Sequence, residues 1–310
     1  MLENSMLYKK INLGYEYVQK DNLNIAYGVD DNYARYMLVS MCSFCENNGS
    51  RLNFHIITDE ISAENYQNLV CISRKYKVAI DIYCIKTEGI ELPIVTKDIT
   101  IGTYFRIFLP DLLDNIGQIV YIDADVICVN NIMELQKVDL KDKLIAGVTD
   151  VAVMQKRKHL LGLEGQEAYI NAGFIIIDVN QWKRINMLEK IAKTLAEYGE
   201  RIRFEDQDLI NIILRGKIKY MPIEYNWLNM RSDKVREAKI LHFAAQPKPW
   251  SKYWHMNPNC NDYTEKIYSE YEKILFTPQR DSADVKRIIR WIIKLIAYKT
   301  TLVRGKEQEY

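Results

Sequence analysis

Apolar residues along this chain fall into short runs that alternate with amphipathic stretches. Residues 23–29 form the first run and end at Asp30-Asp31-Asn32-Tyr33. Residues 34–45, with Tyr36, Met37, Val39, Met41 and Phe44, have the spacing of a helix with an apolar face. The pattern repeats as a strand over 52–58, a helix over 62–76 opened by Ser62-Ala63-Glu64-Asn65, and a third strand over 78–85. Such alternation predicts a mainly parallel sheet flanked by helices, with ligands at the carboxyl ends of the strands, where Asp30 and Asp31 lie. A helix over 101–109, carrying Arg106 and stopped by Pro110, comes next. Strands follow over 118–122 and 144–148, the latter ending at Thr149-Asp150. Asn171 and Gly173 precede the apolar strand that ends at Asp178, and a bare Gly there lets another group approach the backbone. Residues 181–198 read as one helix and 209–214 as another, while the strand over 218–225 is interrupted by Pro222.

The run 118–122 stops at Asp123-Ala124-Asp125. In extended backbone, residues two apart point to one side, so both carboxylates reach one point just past the strand end. Two carboxylates there suit a hard divalent cation and leave positions open for phosphate oxygens. An isolated Asp-x-Asp serves equally as a strand-end cap, and the acidic residues of 204–208 suit a helix N-terminus without any further role. His242, after a short apolar run and before Pro247-Lys248-Pro249-Trp250, reads either as a core histidine or as an imidazole presented on a rigid loop.

Composition narrows the classes. With 48% hydrophobic and 27% charged residues the chain is an ordinary globular protein. Its net charge of +1 argues against nucleic-acid binding through bulk charge. The six cysteines are scattered, and Cys42-x-x-Cys45 has no second pair or nearby His to complete a zinc site; they read as buried hydrophobes in a reducing compartment. Residues 1–20 lack the apolar core of a signal peptide, and no run reaches the roughly 18 apolar residues of a membrane span, so a cytoplasmic location is expected. Composition shifts near Thr277-Pro278. From Lys286 to Lys306 every charged residue is positive, with Ile288, Ile289, Trp291, Ile292, Ile293, Leu295 and Ile296 between them. That pattern predicts a basic amphipathic segment, 277–310, lying on an anionic membrane surface behind a catalytic domain over 22–276. A C-terminal helix packed on the core with a solvated basic face is the alternative.

Taken in order, the acidic turn, the Arg106 helix, Asp-x-Asp, the Asn171-x-Gly173 strand, Asp206-Gln207 and the His242-(x)5-Lys248-Pro-Trp loop resemble glycosyltransferase family 8. These are retaining enzymes that include bacterial lipooligosaccharide galactosyltransferases and, more distantly, glycogenin. The match runs from about Asn24 to Trp250. The resemblance implies an α/β fold of GT-A type, Rossmann-like, with a mixed, mainly parallel sheet. It also implies transfer of galactose or glucose from a UDP-hexose, through an α linkage, to a cell-surface glycan such as lipopolysaccharide, capsule or a glycoprotein glycan. By the same resemblance Asp123, Asp125 and His242 hold a manganese ion, with magnesium the other choice, and Ala124 sits between the acidic pair. Imidazole with carboxylates is a ligand set suited to that metal. Lys248 contacts the diphosphate; Asp30, Asn32 and Tyr33 hold the nucleoside. Arg106, Asn171, Asp206 and Gln207 surround the donor sugar, and Asp150 lies toward sugar and acceptor. Ala245 stands where the family has Gly, which puts the diphosphate wall in question.

A retaining double displacement needs a carboxylate behind the anomeric carbon, and the matching position is the amide Gln207, a poor nucleophile. The expected route is therefore on one face, with a phosphate oxygen of departing UDP taking the acceptor's proton; Asp206 is the reserve nucleophile. The implied partners are a UDP-sugar, a glycan or glycolipid acceptor and the inner face of the membrane, with homo-oligomer formation left open. Two competing readings are a catalytically silent nucleotide-sugar-binding protein and a self-glucosylating enzyme of the glycogenin kind.

Overall fold

The computed structural model describes residues 6–87, 101–163 and 168–276, together with helical positions 288, 289, 291–293 and 296. Its centre is an eight-stranded mixed sheet in the order β1-β4-β3-β2-β5-β8-β7-β9. The strands are β1 (Leu7–Leu13), β2 (Leu23–Gly28), β3 (Leu52–Thr58), β4 (Ala79–Ile85), β5 (Gln118–Ile122), β7 (Ile145–Thr149), β8 (Ile170–Asp178) and β9 (Ile218–Met221). Strands β4, β3, β2 and β5 run parallel, β8 is antiparallel to both of its neighbours, and β7 and β9 are again parallel. Two further strands, β6 (Val126–Cys128) and β10 (Ile240–His242), form a small antiparallel pair beyond the end of β5.

Alternation along the strands divides the interior in two. Ile25, Tyr27, Val120, Ile122, Phe174 and Ile176 point to a core closed by Met37, Leu38, Met41 and Phe44 of α1 (Asp31–Asn48) and by Leu69 and Ile72 of α2 (Ala63–Tyr76). Ala26, Ile119, Tyr121, Ile175 and Ile177 point to the other core. There they meet Ile107 and Phe108 of α3 (Phe105–Leu112), then Met187 and Ile191 of α7 (Met187–Tyr198) and Leu209 of α8 (Glu205–Ile213). Strands apolar on both faces are what a sheet covered on both sides requires. Two short helices, α4 (Ala152–Gln155) and α5 (Arg157–Leu160), follow β7, and the last described long helix, α9 (Asp262–Leu275), opens with a capping box at Asn261 and Thr264 and packs on α1.

Several elements differ from the sequence reading. Pro110 does not stop the helix: α3 follows a 3-10 turn (Ile101–Tyr104) and continues to Leu112 with Pro110 inside it. The helix expected over 181–198 is two, α6 (Val179–Trp182) and α7, because Asn186 caps a fresh start through the Glu189 amide. The expected strand over 218–225 ends at Met221, as Pro222 and a 3-10 turn close it. Strand β1 lies in the polar N-terminal stretch, where a mostly exposed edge strand carries no apolar signature. Cys42 and Cys45 are buried on α1, as a helical pair should be.

Candidate active site

Strand β5 ends opposite the middle of β8, with Ile122 paired to Phe174 and the Asp123 N–H donating to the Gly173 carbonyl at 3.1 Å. The chain then turns through Ala124, half-buried against the α1 core, into β6. Because Val126 of β6 pairs with His242 of β10, and Phe243 N–H donates to the Asp125 carbonyl at 2.9 Å, the imidazole is brought beside the acidic pair. His242 Nε2 lies 3.3 Å from Asp125 Oδ1 and 3.8 Å from Asp123 Oδ2. The ligand atoms of these three residues all fall within 4.8 Å of one another. Two ligands of an ion held at about 2.0–2.2 Å lie at most about 4.4 Å apart, so one centre can gather all three atoms with a closure of a few tenths of an ångström and keep open positions.

The second oxygen of each carboxylate is occupied by a cation. Asp123 Oδ1 accepts from Arg106 at 2.8 Å, and Asp125 Oδ2 accepts from Lys248. The oxygens left for a metal therefore face His242, and the residues present fit a divalent ion. Burial opposes charge on Asp125, yet Lys248 and His242 outweigh it and hold the carboxyl well below the ordinary range. Lys248 also donates to the Phe243 carbonyl at 2.7 Å, which anchors the loop.

Gly173 is required by this geometry. A Cβ there would come 2.1 Å from His242 Cε1 and 2.8 Å from Asp123 Oδ2. It sits in a bulge: Gly147 of β7 pairs with Ile175 but the next residue, Val148, pairs with Asn171, so residues 172–174 have no partner on β7. The bulge turns two N–H groups inward. Gly173 N–H donates to Asn171 Oδ1 at 3.0 Å, and Ala172 N–H donates to Gln207 Oε1 at 3.0 Å. Gln207 Nε2 and Asn171 Nδ2 in turn donate to Asp150 Oδ2 at 3.0 and 3.3 Å. Burial pushes the Asp150 carboxyl up despite the N–H donors of Val151, Asn171 and Gln207.

Arg106 links this network to α8. Its Nε lies 2.7 Å from Asp206 Oδ2, it donates to the Ala172 carbonyl, and its guanidinium rests over the Tyr121 ring at 4.8 Å. Burial, with Asp123 adding to it, raises the Asp206 carboxyl to about 6 against the pull of Arg106. The start of α8 is itself clamped. Asp208, fully buried, accepts from Arg157, from Tyr169 at 2.6 Å and from the N–H groups of Arg203 and Phe204 at 2.8 Å. Glu205 adopts φ of 32°, in the left-handed region that few non-glycine residues occupy.

At the neighbouring strand end Asp30 caps α1, accepting from Tyr33 N–H at 3.0 Å, while Asn32 is exposed. Tyr33 meets Tyr36 and Trp250 edge-on, and Tyr36 stacks on Trp250 at 3.8 Å, so the nucleoside candidates share a wall with the Lys248 loop. Ala245 is half-buried, and the left-handed non-glycine residues among those described are Lys77, Asn115, Lys141 and Glu205. Ala in place of Gly at 245 therefore brings no backbone strain.

The structure thus joins Asp123, Asp125, His242, Lys248, Arg106, Asp206, Asn171, Gln207 and Asp150 in one network. Asp30 and Asn32 stay at its margin. Sequence reasoning assigned no role to Asn226 or Arg157, and read Asp208 as one of the acidic residues that suit a helix N-terminus.

A family model, Glycosyl transferase family 8, matches residues 24–254. The chain belongs to this family. Relatives agree. The lipopolysaccharide 1,2-glucosyltransferase of Escherichia coli strain K12 is 29% identical over 288 residues, covering 87% of this chain and 83% of its own. The lipopolysaccharide 1,3-galactosyltransferase of Salmonella typhimurium is 30% identical over 261 residues, covering 78% and 77%. Among solved structures, the galactosyltransferase LgtC in complex with donor and acceptor sugar analogs superposes with a TM-score of 0.69 at 23% identity, over 82% of this chain and 97% of that one. The family 8 enzyme described here has the same GT-A-like α/β fold.

Proposed function

We propose that this glycosyltransferase moves galactose or glucose from a UDP-sugar to a cell-surface glycan of the lipopolysaccharide kind, keeping the α configuration. The observation that carries the reading is the triangle of Asp123 Oδ2, Asp125 Oδ1 and His242 Nε2, with Arg106 and Lys248 on the outward carboxylate oxygens. The acceptor class rests on the Escherichia coli and Salmonella relatives. Manganese, or magnesium in its place, would offset the charge of the diphosphate as UDP departs. Lys248 presents an ammonium to the same charge, and Asp30, Asn32 and Tyr33 hold the nucleoside at the start of α1.

Arg106, Asn171, Asp206, Gln207 and Asp150 surround the donor sugar. Gln207 Oε1 already accepts from Ala172 N–H at 3.0 Å and from Asn171 at 3.2 Å, which leaves it little lone-pair capacity to attack an anomeric carbon. Asp206 is engaged by Arg106 at 2.7 Å. These contacts favour the one-face route, in which a UDP phosphate oxygen takes the acceptor's proton. Release of UDP from a panel of UDP-hexoses with manganese tests the reading: turnover should vanish in chelator and in Asp125→Asn. No release from any donor would favour the silent binding protein instead. A hexose adduct trapped on Asp206 would overturn the one-face route.

We also propose the division into a catalytic unit, 22–276, and a membrane-associating tail, 277–310. Among the described tail residues Ile289, Ile292 and Ile293 are 51%, 40% and 59% exposed on helix, within residues 286–306, whose charges are all positive. No helix among the described residues is long and apolar enough to cross a membrane. An apolar stripe beside Lys and Arg suits the interface of an anionic leaflet and supports the reading that the enzyme works on the inner face of the membrane.

A further inference from the structure

Asn226 has no assigned role, yet it is fully buried and its amide stands between the sugar-side network and the third ligand of the metal triangle. The direction of every hydrogen bond through it follows from one backbone group. Gly173 N–H can only donate, and it donates to Asn171 Oδ1 at 3.0 Å, so that atom is an acceptor. Asn226 Nδ2 donates to the same oxygen at 2.9 Å, which fixes the Asn226 amide with its Oδ1 turned to His242. That oxygen lies 2.8 Å from His242 Nδ1 and can only accept, so Nδ1 must carry the proton. The lone pair of a neutral imidazole is then on Nε2, the nitrogen 3.3 Å from Asp125 Oδ1 and 3.8 Å from Asp123 Oδ2.

We infer that Asn226 is a positioning residue that, read out from the Gly173 bulge through Asn171, holds the His242 ring in its Nδ1–H tautomer and aims Nε2 at the metal. The inference rests on the metal reading of the proposed function, but the tautomer is a property of the protein alone. Because Asn171 also donates to Asp150 at 3.3 Å and to Gln207 at 3.2 Å, the relay ties ligand orientation to the amides around the donor sugar. Partners of metal-bound imidazoles alter metal affinity about 10- to 100-fold when removed.

The test uses the full chain labelled with 15N-histidine, free of metal, at about pH 8. The chain has four histidines, and His242→Ala identifies the ring signals of this one. The wild type should show a protonated Nδ1 and an unprotonated Nε2; a proton on Nε2 overturns the inference without any substitution at 226. Asn226→Leu should mix the tautomers and weaken manganese binding, followed by electron paramagnetic resonance of the free ion, about 10- to 100-fold. Asn226→Asp, which keeps an oxygen for Nδ1–H, should restore the tautomer and most of the affinity. Wild-type affinity in Asn226→Leu also overturns it. If the wild type binds no manganese, the metal reading fails, while the ring spectrum still decides the relay.

Discussion

Replacing Gly173 with Ala tests the site at its tightest point. The added methyl would lie 2.1 Å from His242 Cε1, 2.7 Å from Nδ1 and 2.8 Å from Asp123 Oδ2, whereas ordinary contact begins near 3.4 Å. Ordinary contact would require a retreat of about 1.3 Å by the ring or the backbone. His242 is only 2% exposed and is hydrogen-bonded to Asn226 behind it, so the ring has nowhere to withdraw without breaking that bond. Metal ligands tolerate about 0.2 Å, and a misplacement of about 1 Å at a reacting centre costs on the order of a hundredfold in rate. Overpacking of this kind costs about 1–3 kcal/mol of stability, which a domain of this size withstands. Gly173→Ala is therefore expected to stay folded by circular dichroism, to lose manganese affinity, and to release UDP about a hundredfold more slowly. A folded Gly173→Ala with wild-type metal affinity would refute the close-approach argument.

Arg106→Ala leaves Asp123 and Asp206 without their shared cation and should cost about 3–5 kcal/mol by denaturant titration. Arg106→Lys, which cannot span both carboxylates with a planar fork, should recover only part of this. The Asp206 carboxyl titrates near 6 in the folded protein and about 3.9 when unfolded, so it contributes stability below about pH 4 that is lost as pH rises through 6. Measured against Asp206→Asn, wild-type stability should fall by up to about 3 kcal/mol between pH 4 and 7; a flat difference would show that the carboxyl is not raised. Removal of residues 287–310 should weaken binding to anionic liposomes and leave UDP release intact, and equal liposome binding by the truncated chain would refute the membrane assignment.

The βα alternation was legible because each buried strand is a continuous apolar run: 23–29, 52–58 and 78–85 match β2, β3 and β4 closely. What escaped was set by pairing across long separations or by a local cap. The β6–β10 pair joins residues more than a hundred apart, and three-residue strands carry no periodicity; yet that pair is what delivers His242 to Asp125. The break before α7 had a signal in Asn186 and Glu189, an N-cap followed by an acidic first turn, but the apolar spacing hid it. The order of motifs singled out Asp123, Asp125, Arg106, Asp206, Gln207, His242 and Lys248, and the structure joins them in one network. Asn226 was not, since a lone Asn in a connecting stretch looks like turn chemistry until its partners are in place.

The carboxylates of this site divide by environment, and the division follows their neighbours. Asp125 shares its oxygens between an ammonium and an imidazole, and despite burial it stays ionised far into acid. Asp150 is equally enclosed but surrounded by amides, Asn171 and Gln207, which carry no charge, so burial wins and its carboxyl rises. Asp206 lies between these cases, sharing one arginine with Asp123 and rising to about 6. A permanently ionised carboxylate is suited to a cation; raised carboxyls held in fixed orientation by amides are suited to hydroxyl groups, which offer both a donor and an acceptor. On the proposed reading, Arg106 stands between the metal side and the sugar side of the site, pairing with Asp123 on one and Asp206 on the other. Arg106 also donates to Ala172 in the bulge that fixes Gln207, so the residue dividing the two halves also keeps them in register.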